Sequence, residues 1–409
     1  MAQVKRRVAL AGTGHRGAGT WGRQLLRDHG GRVELVGLHD VNALRLARAR
    51  EAIGSSAPVF GDLAEMLRTT TPDTLIVCTR DDTHAACIIA GLASGADVIS
   101  EKPMATTAAM CRQILAAEAA SGRRVDVTFN YRFAPTAGKI KELLVADAIG
   151  EIVSVDFHWY LDTAHGADYF RRWHAFMAYS GSLFVHKATH HFDLLNWYLA
   201  AEPHEVFARG ALRNYGRAGP FRGQRCRTCG HAGACPFHID IAKDPWLEML
   251  YEAPSAADGY FRDACVFRPE IDIFDTMTAA ILYDNGVQVS YSLNTFMPVE
   301  GYQLAFNGRK GRLEIRQYEK QPWAMPAEDE ILLLRNFGAV ERIRVAQGTG
   351  GHFGGDQALQ RMLFAANVPD PLNQRAGARA GALSVLCGVA ATMSAHSGKP
   401  VAVKPLLEG

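Results

Sequence analysis

The segment Gly12-Thr13-Gly14-His15-Arg16-Gly17 limits what this chain can become more than any other. It follows the apolar run Arg7-Val8-Ala9-Leu10-Ala11 and opens an amphipathic stretch through Leu25-Leu26 that Gly30-Gly31 ends. Glycines at this spacing let the backbone turn tightly between a strand and a helix. They also let it approach a pyrophosphate, which rests on the free N–H groups at the helix start. Asp40 closes the next strand, Val33 to Leu38, 23 residues beyond Gly17. A carboxylate there binds a ribose 2′-hydroxyl and repels a 2′-phosphate, so the pattern predicts a dinucleotide site with NAD preferred over NADP. Arg45, a turn later, pulls the other way.

Up to about residue 130 the chain repeats strand then helix. Strands are expected at Thr74 to Cys78, Asp97 to Ser100 and Val125 to Phe129, with helices at Asn42 to Ala52, His84 to Ser94 and Thr106 to Ser121. Such alternation implies α/β architecture with a doubly wound parallel sheet, a Rossmann domain over residues 1–130. The pattern then changes. Val287, Val289, Tyr291 and Leu293 alternate with polar residues, and Tyr302 to Asn307 and Arg312 to Arg316 flank the turn signals Asn307-Gly308 and Lys310-Gly311. Residues 131–409 therefore read as an α+β domain with an open, mostly antiparallel sheet. Ala376 to Ser397 is a final Ala-rich helix, and Tyr215 to Phe267, rich in Gly, Cys, Pro and aromatics, is a long irregular insertion.

Composition excludes several classes. The net charge of +2 over 409 residues gives little drive toward nucleic acid or an anionic membrane. No uninterrupted apolar stretch reaches the roughly 18 residues of a membrane span. Basic Lys5-Arg6-Arg7 is followed by only four apolar residues before the glycines, too few for a secretory signal, so a cytoplasmic protein is expected. The eight cysteines then form no disulfide framework.

Glu101-Lys102-Pro103 follows the strand Asp97 to Ser100, at the carboxyl end where ligands of parallel sheets gather. Taken with Gly12 to Gly17, Asp40, Thr79 with His84, Asn130-Tyr131-Arg132-Phe133 and His190-x-x-Asp193, it resembles the Gfo/Idh/MocA family, the relatives of glucose-fructose oxidoreductase and inositol dehydrogenase. The likeness runs over nearly the whole chain. It implies a Rossmann domain joined to an α/β domain whose sheet mediates a homodimer or homotetramer. It also implies NAD-dependent oxidation or reduction at a hydroxyl-bearing carbon of a sugar, sugar acid or polyol. Carried over, Gly12, Gly14, His15, Arg16, Gly17, Asp40, Thr79, His84, Glu101, Lys102 and Asn130 line the cofactor. Lys102 positions the reacting hydroxyl and His190 is the general base. Imidazole suits that task because it titrates near working pH, and an ammonium stabilises alkoxide character.

One departure is evident. Where the family has Asp four residues before this His, the chain has His186, followed by Lys187. On a helix His186 and His190 would share a face, which leaves His186 as the alternative base and a metal-binding His pair as a further alternative. Asp193 could orient His190 instead. Lys187, Arg171, Arg172 and Trp173 are candidate substrate contacts, the cations for an anionic group and the indole for a sugar face. A redox-neutral glycosidase of the same fold is the alternative function. There, NAD oxidises a sugar carbon transiently, elimination cleaves the glycosidic bond and the cofactor is restored. A non-catalytic nucleotide-sensing module is a second rival.

Within the insertion, Cys226, Cys229 and Cys235, with Cys265 further on, have zinc-ligand spacing, and His238 could replace the last. A structural zinc would clip a loop that lacks periodicity; reduced, metal-free thiols are the alternative.

Overall fold

The computed structural model describes residues 4–409. Six strands, β1 (Arg6–Ala11), β2 (Val33–His39), β3 (Val59–Phe60), β4 (Thr74–Val77), β5 (Asp97–Ser100) and β6 (Val125–Val127), run parallel in the order β6-β5-β4-β1-β2-β3. The helices between them begin where the sequence supplies caps. Asn42, Asp62 and Thr107 each accept a hydrogen bond from the backbone N–H three residues on. The strand order reverses between β1 and β4, which opens a crevice at their carboxyl ends. A two-residue strand, Ala376–Gly377, adds antiparallel to β6, so the far end of the chain returns to the first sheet.

The second sheet contains β7 (Ile152–Asp162), β8 (Pro203–Ala211), β9 (Thr276–Tyr283), β10 (Gln288–Met297), β11 (Glu300–Gly308), β12 (Gly311–Lys320), β13 (Glu328–Arg335) and β14 (Val340–Ala346). They lie in the order β14-β13-β12-β11-β7-β10-β9-β8, with the short strand Val401–Ala402 beyond β8. All neighbours are antiparallel except β7 and β10, which pair in parallel at the centre. Alternate residues of β9 and β10 are buried, as the period-2 pattern predicts. The helix Ala378–Ser397 is long and apolar enough to cross a membrane, yet 67% of that apolar window is buried, against β8 and the helices Thr189–Leu199 and Ala108–Ser121.

The insertion forms only short helical turns, and internal pairing holds it. Arg225 bridges Asp263 (2.8 Å) and Glu252, Arg227 reaches Glu252 (2.5 Å), and Phe221 stacks on His231. It folds back on the first sheet's helices, where Leu250 and Tyr251 share a buried cluster with Trp21, Leu46 and Ile53.

Candidate active site

The glycine turn forms as its sequence requires. Gly12 has φ +89°, and a Cβ there would stand 2.5 Å from the carbonyl oxygen of Cys78. A Cβ on Gly17 would stand 1.9 Å from the Gly12 carbonyl oxygen, so strand and helix meet too closely for any side chain. Asp40 is buried at the end of β2, where Oδ2 accepts from the Thr13 N–H and hydroxyl (2.9 Å each) and Oδ1 from the Asn42 N–H (2.9 Å). Arg45, the residue that argued for NADP, is claimed by Asp40 (3.2 Å) and by Asp258 of the insertion (2.6 Å).

Arg16, Glu101 and Asn130 satisfy one another's neighbours. The Arg16 guanidinium binds Glu101 (2.6 Å) and Asp356 (3.0 Å), Trp21 donates to Glu101 (2.8 Å), and Asn130 donates to Asp356 (2.8 Å). Arg16 and its two carboxylates thus fix the crevice wall. His84 Nδ1 lies 2.8 Å from the Pro103 carbonyl oxygen and Nε2 3.1 Å from that of Thr79, tying the loop after β4 to the loop carrying Lys102.

Lys102, on the second of these loops, is half-buried. Its ammonium donates to the backbone carbonyl of His186 (3.3 Å). Burial, partly offset by Asp81 and reinforced by Lys187, lowers its pKa to about 8. His186 Nδ1 stands 2.5 Å from Asp81 Oδ2. Burial raises the carboxyl of Asp81 and lowers the imidazole of His186, so the pair is held as one neutral unit sharing a proton. Asp81 comes from the first half of the chain and supplies the carboxylate that the second half lacks at position 186. Its position just past the carboxyl end of β4 was the signal that could have found it.

His190 is left free among the described residues. It is buried edge-on against Tyr131, with ring centroids 4.8 Å apart, and His352 packs against both rings, 5.8 Å from His190 and 5.2 Å from Tyr131. Neither ring nitrogen has a hydrogen-bond partner. Burial, then the nearby Lys102, holds its pKa well below the ordinary histidine value, so the ring is neutral.

Several expectations need correction. His186 and His190 do not lie on one helix, because the helix Leu183–His186 stops and another starts at Thr189. They meet different neighbours, His186 facing Asp81 and His174, and His190 facing Tyr131 and His352. Asp193 does not orient His190; it forms a buried bidentate pair with Arg132 (2.6 and 2.7 Å). Arg171 faces the insertion, bonded to the Phe237 carbonyl and the Cys226 sulfur. Arg172 pairs with Asp168 at 3.2 Å, and Trp173 stacks on His174. Lys187 holds its ammonium over Trp159 (5.0 Å) and Tyr131 (5.7 Å), with no carboxylate partner among the described residues. The four cysteines line one small cavity with Arg171 and Phe237. Among the described residues, however, no three potential ligands converge on a metal position, so the expected tetrahedral zinc centre is not assembled. The ion pairs of Arg225 and Arg227 hold the insertion instead.

Comparison with known proteins then decides the family. The oxidoreductase family NAD-binding Rossmann fold matches residues 6–129, and that family's C-terminal alpha/beta domain matches residues 141–403. This chain belongs to the Gfo/Idh/MocA family. Among its relatives, YteT of Bacillus subtilis (strain 168), named as an oxidoreductase, is 39% identical over 98% of both chains. Inositol 2-dehydrogenase 1 of Saccharopolyspora erythraea is 33% identical over 48% of this chain and 55% of its own length. The WlbA dehydrogenase of Bordetella pertussis, solved with NADH and UDP-GlcNAcA, superposes with a TM-score of 0.66 at 20% identity, covering 98% of this chain and 99% of that one. The Rossmann half is an NAD-binding domain, and the protein is an oxidoreductase of this family.

Proposed function

We propose that this protein is an NAD-dependent dehydrogenase acting on a secondary hydroxyl of a sugar, sugar acid or polyol. Lys102 positions the hydroxyl and His190 takes its proton. The observation that carries this reading is the pair of unpartnered, buried nitrogens of a neutral His190 in the electrostatic reach of Lys102. A buried imidazole without partners costs stability, which is worth bearing where a ligand hydroxyl completes it. The glycine turn and Asp40 would hold NAD in the crevice, where it would supply the hydride acceptor for the carbinol carbon. The Lys102 ammonium stabilises the oxygen as its proton leaves, and His190 holds that proton. Lys187 over its aromatic faces, with no carboxylate partner among the described residues, favours a substrate carrying an anionic group such as a sugar acid. The inositol dehydrogenase named among the relatives agrees with a polyol-like substrate class. We place the enzyme in the cytoplasm, in keeping with its eight free cysteines, as a homo-oligomer joined through the open face of the second sheet.

The redox-neutral glycosidase is the second reading. It is favoured by the Asp81–His186 pair, a second proton holder within the same site, since elimination needs a base for a carbon-bound proton besides the one for the hydroxyl. One assay separates the two. Protein and NAD meet a panel of free sugars, sugar acids, polyols and nitrophenyl glycosides, with NADH and nitrophenol followed together. NADH formed from a free substrate, and lost in Lys102→Met, is the expected result. Nitrophenol released without NADH, and only with NAD present, would replace the dehydrogenase reading with the glycosidase. No turnover of any kind across the panel would count against both.

A further inference from the structure

The insertion does more than cover the glycine turn, because it reaches the ribose end of the dinucleotide site and takes hold of its charges. Arg45 stands where a guanidinium would receive a 2′-phosphate, and each of its three nitrogens is engaged. Nη1 binds Asp40 (3.2 Å), Nη2 binds Asp258 (2.6 Å) and Nε donates to the Leu250 carbonyl (3.0 Å), while the guanidinium lies over the Tyr251 ring. Asp258, Leu250 and Tyr251 all belong to the insertion. Asn42, which caps the helix Ala43–Ile53 and neighbours Asp40, also donates to Asp258 (2.7 Å) and to the Pro254 carbonyl (3.0 Å). Further along, the Tyr251 hydroxyl accepts from the His15 N–H (2.7 Å) at the start of the first helix.

We infer that Asp258 of the insertion is a specificity-determining residue that excludes the 2′-phosphorylated dinucleotide by keeping Arg45 occupied. Two carboxylates, Asp40 and Asp258, face one guanidinium, so the ribose end carries a net charge of −1 formed from these three groups. A 2′-phosphate brought there meets that charge and must also detach Arg45 from a partly buried ion pair and a backbone acceptor, both of which act against it. A plain ribose brings no charge and demands neither. Asp40 alone would leave Arg45 free to swing outward and compensate; Asp258 removes that option. This inference rests on dinucleotide binding alone, independent of substrate.

The experiment is therefore a binding titration without substrate. NADH and NADPH are titrated into the full-length protein by nicotinamide fluorescence, for wild type, Asp258→Asn and the double variant Asp258→Asn/Arg45→Met. Asp258→Asn keeps the shape and a hydrogen-bonding oxygen for Asn42 while removing the charge. The ratio of NADPH to NADH affinity is expected to rise about tenfold or more in Asp258→Asn, and to fall back in the double variant because the released Arg45 is what receives the phosphate. An unchanged ratio in Asp258→Asn would overturn the inference, and so would a gain that persists without Arg45. Should Asp258→Asn loosen the insertion, Arg45→Met alone still decides. With Arg45 already neutralised it should leave NADPH discrimination at least as strong as in wild type, whereas weaker discrimination would overturn the assignment. A failure of the sugar-dehydrogenase assay would leave each of these ratios intact.

Discussion

The charged groups of the nucleotide end and His190 at the Lys102 end are partnered in opposite ways. At the nucleotide end Asp40, Arg16, Glu101 and Asp356 are each bound by two or more partners. At the Lys102 end His190 keeps both nitrogens unpaired, and Nδ1 of His174, which packs against His186, is unpaired as well. A buried polar atom left without a partner costs about 1–3 kcal/mol. The difference separates a scaffold, fixed before any ligand arrives, from a reacting centre that keeps its hydrogen-bonding capacity for one. The sharpest way to break this contrast is to remove the free groups. Lys102→Met and His190→Ala are each expected to lower kcat/KM by about 10²–10⁴-fold. Neither should lower the denaturation midpoint by much, because the half-buried Lys102 and the buried His190 each have partners that do not fully offset their desolvation. A large loss of stability in His190→Ala would show that the ring is a packed core element and not a base.

The fixed groups should respond in the other sense. Asp193 and Arg132 form a bidentate pair with both side chains buried. Cutting it in Asp193→Asn leaves the guanidinium unpaired and is expected to cost about 3–5 kcal/mol, read as a lower urea midpoint. Unfolding at the wild-type midpoint with a lowered kcat would instead make Asp193 a positioning residue of the reacting centre.

The parts of the molecule that were legible in the sequence were local ones. The glycine turn, the acid at the end of β2 and Lys102 past β5 each follow from a few adjacent residues whose spacing states their geometry. Five strands of the first sheet and the helix Ala378–Ser397 follow from runs of apolar residues in the same way, whereas the two-residue β3, Val59–Phe60, is too short to show such a run. What was hidden depends on contacts between distant segments. Asp81 meets His186 across 105 positions, and Asp356 meets Arg16 across 340. Neither carboxylate has a neighbouring residue that announces it. Asp193 misled for the related reason that its helical spacing from His190 was real, while the buried Arg132 competing for it lay 61 residues away. The cysteine spacing likewise matched a metal site, but the convergence of the four thiols depends on how Cys265 returns to the loop, which spacing cannot encode.

The pH profile gives a finer test of the free end. Lys102 titrates at about 8 against an ordinary 10.5, so it is a cation below pH 8 and neutral above. Activity that needs the ammonium should fall as pH rises through about 8, and Lys102→Arg, which stays charged, should move that limb upward. The stability sign is opposite. The unfolded chain binds the proton more tightly, so the penalty for burying the charge is fully present below pH 8 and is relieved between 8 and 10.5. Activity and stability diverging over that interval in wild type, and no longer diverging in Lys102→Met, is the expected signature.

The smallest expected effect lies at His186, and it bears on the reaction class. Lys102 bonds to the His186 backbone carbonyl and not to its ring, so His186→Gln leaves the ammonium where it is. The glutamine amide can still donate to Asp81, which would otherwise be a buried carboxyl without its partner. In a dehydrogenase that uses His190 as the base, the substitution should lower kcat by only about tenfold, with KM nearly unchanged. In a redox-neutral glycosidase the Asp81–His186 pair would carry the second proton transfer, and the same substitution should reach the 10²–10⁴-fold range of a lost general base. The oxidation half-reaction, followed as NADH formed in a single turnover, would be spared in that case. A tenfold effect on both measurements places the pair in a supporting role beside Lys102. A large effect confined to bond cleavage would make it the second base and would move the division between fixed and free groups to include it.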